Sequence, residues 1–417
     1  MSKNTVLFAV LLFIVIACGN GAEKAATNRL GLIAEKAMVV SAHPLATQVG
    51  VDIMKQGGNA VDAAVAVHFA LAVVLPAAGN IGGGGYVVYR NKDGEFFTLD
   101  YREKAPQLAT EKMYLDSLGQ VVPSASLYGA LASGVPGSVD GMVSLHERFG
   151  TLSWRDLVAP AIQLARNGFE LTEREANGLH SIQDKLRELN TVLPENLLND
   201  RWEKADSIYY DDLANTLERI AASGRAGFYE GETARLIMEE MQRNNGLITY
   251  DDLKNYFAIW RDPVQFSYQN YMITSMGPSS SGGIALAELM NMSGEFPLRR
   301  WGIGNIKTVH AMAEMEKLVF ADRAEYLGDP DFVAIPTDKL LSQQYGRERA
   351  ASIDMNRAKK AAEIHDGSLI NEHEQTTHFS IIDAAGNAIS CTTTLNGGYG
   401  SHVVVGGAGF FLNNRNG

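Results

Sequence analysis

The 417-residue sequence has only two cysteines, Cys18 and Cys391. Two cysteines so far apart provide no framework of disulfide bonds. The sequence also lacks an excess of basic residues, since 36 lysines and arginines stand against 48 aspartates and glutamates, for a net charge of −12. Because no basic stretch offers a footprint for phosphate groups, nucleic acid is not expected as a partner.

A phosphate-binding loop is lacking as well, although the sequence contains four consecutive glycines. The run Gly82–Gly85 is not followed by a Lys-Ser or Lys-Thr pair, and it lacks the spacing of a dinucleotide-binding loop. Glycine permits a close approach of one backbone to another. We therefore expect the run to pack tightly against a neighbouring segment, ahead of two strands at Tyr86–Arg90 and Glu95–Tyr101.

The longest uninterrupted apolar run lies near the start of the chain. Residues Val6–Ala17 are apolar but too few to indicate a membrane span, and Lys3 precedes them. Residues 1–18 resemble a bacterial lipoprotein signal that ends at Cys18, with 19–34 as a linker. The lipid-modified cysteine would then anchor the exported protein to a membrane, in the periplasm or at the cell surface. The alternative is an ordinary secretory signal that is cut nearby.

Between this segment and residue 376, helical and strand-like patterns alternate. Asn59 is a candidate N-cap of an apolar helix that ends before Pro76, and Thr249 is a candidate N-cap with Asp252 three residues later. The other predicted elements are a strand at Met38–Ser41, a helix at Ala46–Gln56, a mostly helical region at 138–242, a strand at Pro263–Ser275, and a helix at Val309–Pro330. The polar segment Ala358–Glu374 is predicted to be exposed and mobile.

Two strand-like runs near the C-terminus predict a hairpin. Thr376–Asp383 and Ala388–Thr394 both alternate, and a three-residue loop with Gly386 in the left-handed conformation would join them. In that register Thr376 lies opposite Thr394. The same face then carries the pairs His378/Thr392 and Ser380/Ser390, and the other face carries the apolar pairs Phe379/Cys391 and Ile381/Ile389. A shift by one residue would mix the two faces. Cys391 is therefore predicted to be a buried, inert thiol rather than a nucleophile.

A threonine at the start of a strand can be a nucleophile if the chain is cut before it. Its own new α-amino group, with a pKa of about 7.7–8.0, then serves as the base. The bond Gln375–Thr376, the polar segment before it and Thr394 opposite meet these requirements. The alternative is that Thr376 and Thr394 form an ordinary cross-strand pair that stabilises the sheet. The pattern alone leaves both open.

From about Glu35 to Asn414 the chain resembles the bacterial γ-glutamyltranspeptidase (glutathione hydrolase) family. The blocks that carry the resemblance are ATQVGVDIMKQGGNAVDAAVAV, AGNIGGGGYVVYR, LDYREKAP, GVPGSVDG, GLITYDDL, PSSSGGI, ADRAEYLGDPDF and QTTHFSIID. The resemblance implies an α+β fold, the N-terminal-nucleophile αββα four-layer sandwich. It also implies a large-subunit region at 35–375 and the start of a small-subunit region at 376–417, which form a heterodimer after self-cleavage.

The resemblance also implies roles for individual residues. Thr376 matches the nucleophile, and the Gln375–Thr376 bond matches the site of self-cleavage. Thr394 matches a threonine that hydrogen-bonds the nucleophile, and Asn396 matches an asparagine at the amino end of the γ-glutamyl group. Arg102 matches the arginine that binds the substrate α-carboxylate, a task that suits a planar guanidinium. Without the resemblance, Arg102 would be interpreted as a surface ion-pair residue.

The reaction implied is acyl transfer from glutathione or another γ-glutamyl compound. The Thr376 hydroxyl attacks the γ-glutamyl amide to form an ester, which water, an acceptor amino acid or a peptide then cleaves. The family needs no metal and no organic cofactor.

The sequence departs from the family pattern after the block LNN. The family continues to Met-Asp-Asp-Phe and to later Ser-Ser and Gly-Gly pairs, whereas here Arg415 replaces a glutamine or similar residue and the printed sequence ends at Gly417. We therefore expect a truncated chain, an incomplete sandwich, and little or no activity from these residues alone. Two alternatives are a related acylase or poly-γ-glutamate depolymerase, and an inactive relic that binds γ-glutamyl or amino-acid ligands as a lipoprotein.

Overall fold

The computed structural model describes residues 31–360, 364 and 376–415. Its strands are β1 (Met38–Val40), β2 (Gly84–Arg90), β3 (Phe96–Asp100), β4 (Phe169–Glu170), β5 (Ser207–Ile208), β6 (Ile259–Arg261), β7 (Val264–Tyr268), β8 (Tyr271–Ser275), β9 (Thr376–Ile382) and β10 (Ala388–Thr394). The predicted signal at 1–18 with Cys18, most of the linker, Gln375 and most of the segment predicted to be mobile lie outside the described residues.

Helices make up a large part of the remaining described chain. They are α1 (Pro44–Lys55), α2 (Ala60–Val74), α3 (Ser138–Phe149), α4 (Trp154–Asn167), α5 (Glu173–Ser181), α6 (Gln183–Leu189), α7 (Asp211–Ser223), α8 (Ala226–Tyr229), α9 (Gly231–Arg243), α10 (Tyr250–Lys254), α11 (Gly282–Ser293), α12 (Leu298–Trp301), α13 (Ile306–Tyr326), α14 (Thr337–Leu341) and α15 (Gln343–Ala351). Over the described ranges, none of these helices is both long and apolar enough to cross a membrane.

A six-stranded antiparallel sheet organises the fold. Its strand order is β1-β9-β10-β2-β3-β6, and β4-β5 and β7-β8 form separate two-stranded sheets. Strands β9 and β10 follow the predicted boundary at 375/376, yet they lie between β1 and β2. The predicted large-subunit and small-subunit regions therefore share one sheet and are not separate domains.

The hairpin of β9 and β10 has the predicted register. Thr376 pairs with Thr394, and Ser380 pairs with Ser390. Gly386 in the turn has a φ of 89°, in the left-handed region where the absence of a Cβ removes the steric penalty. The hydroxyl-bearing side chains thus share one face. The apolar side chains of the other face are buried, and they are Phe379, Ile381, Ile389 and Cys391.

Helix α2 covers that apolar face and is buried along its whole length. As predicted, Asn59 caps it, and its side chain accepts hydrogen bonds from Val61 and Asp62. A second contact comes from the hairpin turn, where the Asp383 carboxylate accepts a hydrogen bond of 2.9 Å from the Ala60 backbone N–H. The start of α2 and the turn of the hairpin are therefore fixed to each other.

The glycine run packs closely against a neighbouring segment as predicted, and that segment is the hairpin. A Cβ on Gly83 would lie 2.1 Å from the Thr394 carbonyl oxygen, and one on Gly85 would lie 2.0 Å from the Thr392 carbonyl oxygen. Real Cβ atoms do not approach oxygen so closely, so β2 can pair with β10 only because these positions carry no side chain. The run therefore sets the distance between the hairpin and the rest of the sheet.

The hydroxyl-bearing face of the sheet borders an open cleft. Helix α13 and the turn that leads into α11 lie across the cleft from the sheet. Helices α11 and α13 to α15 pack around small apolar clusters of their own, distinct from the main core around α2. This arrangement leaves the ends of β3, β9 and β10 facing open space.

Candidate active site

The cleft brings together three of the four residues expected to form the site. It has a volume of about 1330 Å³, and its lining includes Thr376, Thr394 and Arg102. Asn396 does not line the cleft itself, but it contacts Arg415, which does. Residues separated by some 300 positions in the sequence thus meet at one edge of the sheet.

Thr376 is the first residue of β9 and is exposed to the cleft. Its Oγ1 lies 3.4 Å from Thr394 Oγ1, a long hydrogen-bonding distance. The Asn396 backbone N–H donates a hydrogen bond of 2.8 Å to the same Thr394 oxygen, so the Thr394 side chain is held in place. An oriented hydroxyl beside an exposed one is the arrangement that a helper and a nucleophile require.

His378 is a site residue whose role the sequence did not predict. Its Nδ1 lies 2.8 Å from Thr392 Oγ1 and its Nε2 lies 3.2 Å from Ser380 Oγ. Partial burial lowers the pKa of His378, so the ring is neutral near pH 7. Because its contacts in the described residues are to Thr392, Ser380 and Ser390, it orders the row of hydroxyls beside Thr376. The position of His378, two residues after Thr376 on the same face of the strand, is the sequence feature from which this role could have been predicted.

Arg102 follows β3 and is partly buried. Its Nη1 donates to the Tyr86 hydroxyl at 2.9 Å and to the Ser279 carbonyl at 3.5 Å. Burial opposes its charge, but the Tyr86 hydroxyl and the carboxylates of Glu103 and Asp100 favour it, and the pKa of Arg102 is raised. In the described part of the chain its guanidinium forms no salt bridge, which argues against the surface ion-pair interpretation.

Asn396 presents its side chain to other residues of the chain. Its backbone is left-handed, with a φ of 76°. The amide nitrogen donates to the Asn414 carbonyl at 3.1 Å, and the amide oxygen accepts a hydrogen bond of 2.8 Å from Arg415 Nη1. A guanidinium therefore lies at the oxygen that a substrate ammonium would need, and the substrate contact of Asn396 stays a prediction.

Glu103 is a buried carboxylate beside the cleft, 8 % exposed, and the sequence did not single it out. It lies next to the Gly84 backbone, where a Cβ would be 2.9 Å from Glu103 Oε2. Burial raises the pKa of Glu103 to about 7, and the neighbouring Arg102 only partly offsets this. The carboxyl group therefore changes charge near neutral pH, one residue away from the predicted carboxylate-binding arginine.

Replacing Glu103 by glutamine is expected to change how stability depends on pH. The folded-state pKa of about 7 lies above the ordinary glutamate pKa of 4.5, so the folded chain binds more protons than the unfolded chain between these values. The free energy of unfolding therefore falls as pH rises through this window, by an amount on the order of 2–3 kcal/mol. Thermal unfolding midpoints at about pH 5 and about pH 8 should show that Glu103→Gln removes most of this fall.

The exposed Glu111 provides the matched control for this prediction. Glu111→Gln makes the same chemical change at the surface and should leave the pH dependence of the unfolding midpoint as it was. An equal change in both variants would show that Glu103 does not carry the dependence.

Cys391 lies on the buried face of β10. Cys391 is fully buried, its Sγ lies 3.1 Å from the Tyr101 hydroxyl, and burial raises its pKa to about 12, in line with the predicted inert thiol. Over residues 31–360, 364 and 376–415, no three His, Cys, Asp or Glu side chains lie together as a metal site requires.

Comparisons with known proteins agree with this geometry. A sequence model of the family described as Gamma-glutamyltranspeptidase matches residues 46–417. The glutathione hydrolase proenzyme of Escherichia coli K12 is 44% identical over 391 residues, which cover 92% of this chain and 66% of that protein. The chain thus spans about two thirds of the length of this relative.

Solved structures show the same likeness. The structure of Helicobacter pylori gamma-glutamyltranspeptidase superposes with a TM-score of 0.78 and 40% identity, and covers 81% of this chain and 99% of that chain. Cephalosporin acylase from Bacillus halodurans superposes with a TM-score of 0.82 and 27% identity, and covers 95% of this chain and 72% of that chain. These likenesses confirm the predicted α+β N-terminal-nucleophile fold class.

Proposed function

The chain belongs to the gamma-glutamyltranspeptidase family, and on that premise we propose that it is a self-cleaving γ-glutamyl hydrolase and transferase. The observation that carries the proposal is the pair of hydroxyls at the edge of the cleft. Thr376 begins a strand, is exposed, and lies 3.4 Å from the Thr394 hydroxyl, with Arg102 lining the same cleft. A hydroxyl nucleophile and a carboxylate-binding cation are what a γ-glutamyl amide requires.

The proposed reaction begins with hydrolysis of the bond between Gln375 and Thr376, in which water gives the α-carboxylate of Gln375 and the α-amino group of Thr376 is freed. This amine accepts the proton of the Thr376 hydroxyl as Oγ1 attacks the γ-carbonyl carbon. The C–N bond of the amide breaks, the leaving amine takes up the proton, and a γ-glutamyl ester of Thr376 remains. Water or the amine of an acceptor amino acid or peptide then displaces Thr376 from the ester and restores its hydroxyl.

The substrates proposed are glutathione and other γ-glutamyl amides. Arg102 binds the α-carboxylate of the donor through the nitrogens that do not contact Tyr86, and its raised pKa keeps it charged. Thr394 holds the Thr376 hydroxyl in line with the carbonyl. The two products of self-cleavage remain together as a large and a small subunit.

A second candidate is an acylase for a dicarboxylic acyl group that carries no ammonium. The observation that favours it is the contact of Arg415 Nη1 with Asn396 Oδ1 at 2.8 Å. A guanidinium at this position attracts a carboxylate and repels an ammonium, so it opposes the α-amino group of a γ-glutamyl substrate. Cephalosporin acylase is among the structures similar to this chain.

One experiment tests both candidates. The purified chain is incubated with γ-glutamyl-p-nitroanilide and, separately, with glutaryl-p-nitroanilide, which differs only in lacking the ammonium. The readouts are release of p-nitroaniline and a covalent acyl adduct on the peptide that begins at Thr376, located by mass spectrometry. The first function predicts an adduct from the γ-glutamyl compound, and the second predicts one from the glutaryl compound alone.

Arg415→Gln provides the control for charge in this experiment. Removing one positive charge beside an ammonium in a partly exposed site is worth about 1 kcal/mol or more, so we expect the preference to move toward the γ-glutamyl compound by on the order of tenfold. The adduct needs one acylation event and no turnover, so it is detectable even at the low activity expected of these residues alone. A chain that has been cut before Thr376 but forms no adduct with either compound would contradict both functions.

We further propose that the protein is exported and held to a membrane, in the periplasm or at the cell surface, through a lipid on Cys18. The support is the sequence alone, with Lys3, the apolar residues Val6–Ala17 and the cysteine that follows them. Incorporation of labelled palmitate into the membrane-bound protein, and its loss in Cys18→Ser, would support the anchor. Unlabelled protein in the soluble fraction would contradict it.

A further inference from the structure

Asp100 is a buried carboxylate, 7 % exposed, that lies behind the predicted carboxylate-binding arginine. Its Oδ1 accepts a hydrogen bond of 3.0 Å from the Arg102 backbone N–H. Its Oδ2 accepts one of 3.0 Å from Ser279 Oγ and one of 2.8 Å from Arg261 Nε. One carboxylate thus joins the end of β3, the turn before α11 and the end of β6.

A directed chain of hydrogen bonds leads from Asp100 to the guanidinium of Arg102. A carboxylate only accepts, so the Ser279 hydroxyl donates its proton to Asp100 and its oxygen is left to accept from the Tyr86 hydroxyl, 2.9 Å away. The Tyr86 oxygen in turn accepts from Arg102 Nη1 at 2.9 Å. Asp100 therefore sets the direction of every hydrogen bond up to Arg102.

Arg102 is held at one end of its guanidinium. Across the described residues, its side-chain hydrogen bonds all run through Nη1, to Tyr86 and to the Ser279 carbonyl. Nε and Nη2 are left for a ligand, and two N–H groups in a fixed plane match the two oxygens of a carboxylate. The orientation of that plane depends on where Tyr86 and Ser279 lie.

Arg261 holds Asp100 from the side away from Arg102. Its Nη1 and Nη2 bind the two oxygens of Asp331, each at 3.0 Å, in a bidentate ion pair. This pair keeps the Arg261 Nε pointed at Asp100 Oδ2. The hydrogen bonds from Arg261 to Asp331 and to Asp100 outweigh the effect of burial and raise the pKa of Arg261. The hydrogen bond from Arg261 also lowers the pKa of Asp331.

We propose that Asp100, together with the Arg261–Asp331 ion pair, positions Arg102 to bind the substrate α-carboxylate. Asp100, Arg261 and Asp331 are then positioning residues that act through Tyr86, Ser279 and Arg102 and do not touch the substrate. The inference rests on the proposed function, since it assumes that Arg102 binds a carboxylate of the acyl donor. The other role open to the same contacts is a structural one, in which they only join β3, β6 and the turn before α11.

The test compares two ligands that differ only at the α-carboxyl group. Calorimetric titration measures the Kd of L-glutamate and of L-isoglutamine, its α-carboxamide, for the full chain. A charged hydrogen-bonded contact to the carboxylate predicts that L-glutamate binds about 10- to 150-fold more tightly. Arg102→Ala should bring this ratio close to one. Asp100→Asn and Asp331→Asn should lower it at least about threefold while the Kd of L-isoglutamine stays the same.

Asp329→Asn is the matched control. Asp329 lies in the same turn as Asp331 and is as exposed, with side-chain exposures of 45% and 46%, but its oxygen lies 3.9 Å from Arg261 Nη2 and makes no bidentate contact. This variant should keep the full ratio. Because Asp331 is half exposed, its variant is expected to fold even if Asp100→Asn does not, so the proposal can still be tested.

The outcomes separate the inference from the function on which it rests. The preference for L-glutamate over L-isoglutamine could be lost in Arg102→Ala but unchanged in Asp100→Asn and Asp331→Asn. This result overturns the positioning role and leaves the proposed function in place. Equal weakening of both ligands in Asp331→Asn indicates a structural role and also overturns it. A ratio near one in the unaltered chain, with no effect of Arg102→Ala, contradicts the proposed function itself.

Discussion

Replacing Thr376 by valine is expected to leave the chain uncut. Valine keeps the branched shape and the strand preference of threonine but has no hydroxyl, so neither self-cleavage nor the acyl ester can form. The unaltered chain should yield two fragments on a denaturing gel, and the N-terminus of the smaller one should be Thr376. In Thr376→Val we expect cleavage to be slower by on the order of 10⁴-fold or more, which is below detection.

The neighbouring residue provides a matched control for this prediction. Thr377 is buried, and over the described residues its hydroxyl has no hydrogen-bond partner. Thr377→Val makes the same change one position along the same strand and should leave cleavage intact, as should Thr376→Ser, which retains a hydroxyl. If Thr376→Val is cleaved at the unaltered rate, the Thr376 hydroxyl is not required for self-cleavage.

Replacing Gly85 by alanine is expected to disrupt the central sheet. The new Cβ would lie 2.0 Å from the Thr392 carbonyl oxygen, so β2 and β10 would have to move apart along the strands that carry the site. Overpacking in a core costs about 1–3 kcal/mol, and a clash with backbone leaves little room for relaxation, so a loss above about 3 kcal/mol is expected. The measurements are the soluble yield and the thermal unfolding midpoint.

Gly294→Ala is the control for replacing a glycine where the new Cβ meets no clash. Gly294 is exposed at the end of α11 with a φ of −63°, and a Cβ there would meet its nearest atom at 3.5 Å. Gly294→Ala should leave the unfolding midpoint unchanged or slightly raised, because alanine reduces the freedom of the unfolded chain. If Gly85→Ala unfolds at the same temperature as Gly294→Ala, close packing of the glycine run does not stabilise the sheet.

The parts of the fold that the sequence predicted well are the ones fixed by local pattern. The hairpin follows from strict alternation and from the turn around Gly386, and α2 follows from the cap at Asn59 and the break at Pro76. Alternation fixes which residues share a face, and a turn of defined length fixes which residues lie opposite each other. The pairing of Thr376 with Thr394 could therefore be derived without any knowledge of the rest of the molecule.

Element boundaries were less accurate where the signal came from an unusual residue. The segment Pro263–Ser275 was predicted as one strand, but Gln269 adopts a φ of 53° and the chain turns back to give β7 and β8. Helix α1 begins at Pro44 rather than Ala46, because the His43 side chain caps it. Glutamine is not a usual turn residue and histidine is not a usual cap, so neither was predicted from propensity.

The environment of Arg102 could not be predicted from the sequence. Asp100 contacts Ser279 and Arg261, which lie 179 and 161 positions away in the chain. Such contacts depend on how the sheet and the helices around α11 pack, and no local pattern specifies that packing. The resemblance identified Arg102 itself, but Tyr86, Asp100 and Arg261 became apparent only from the structure.

The position of the hairpin inside the sheet has a consequence for any product of cleavage. Strand β9 is hydrogen-bonded to β1 and strand β10 to β2, so residues that follow the proposed cut lie between residues that precede it. A cut before Thr376 would change the connectivity of the polypeptide but none of these ladders. The two pieces should therefore co-purify in equal amounts under native conditions and separate only in denaturant.

Once separated in denaturant, the two pieces should reassemble poorly. A free hairpin would have to insert between two strands of another chain, and contacts so distant in sequence form slowly even within one chain. The peptide bond before Thr376 would thus guide the first folding of the protein, and after the cut the sheet alone would hold the pieces together. Denatured and refolded material should accordingly recover poorly if it was cut beforehand, and well if it was intact.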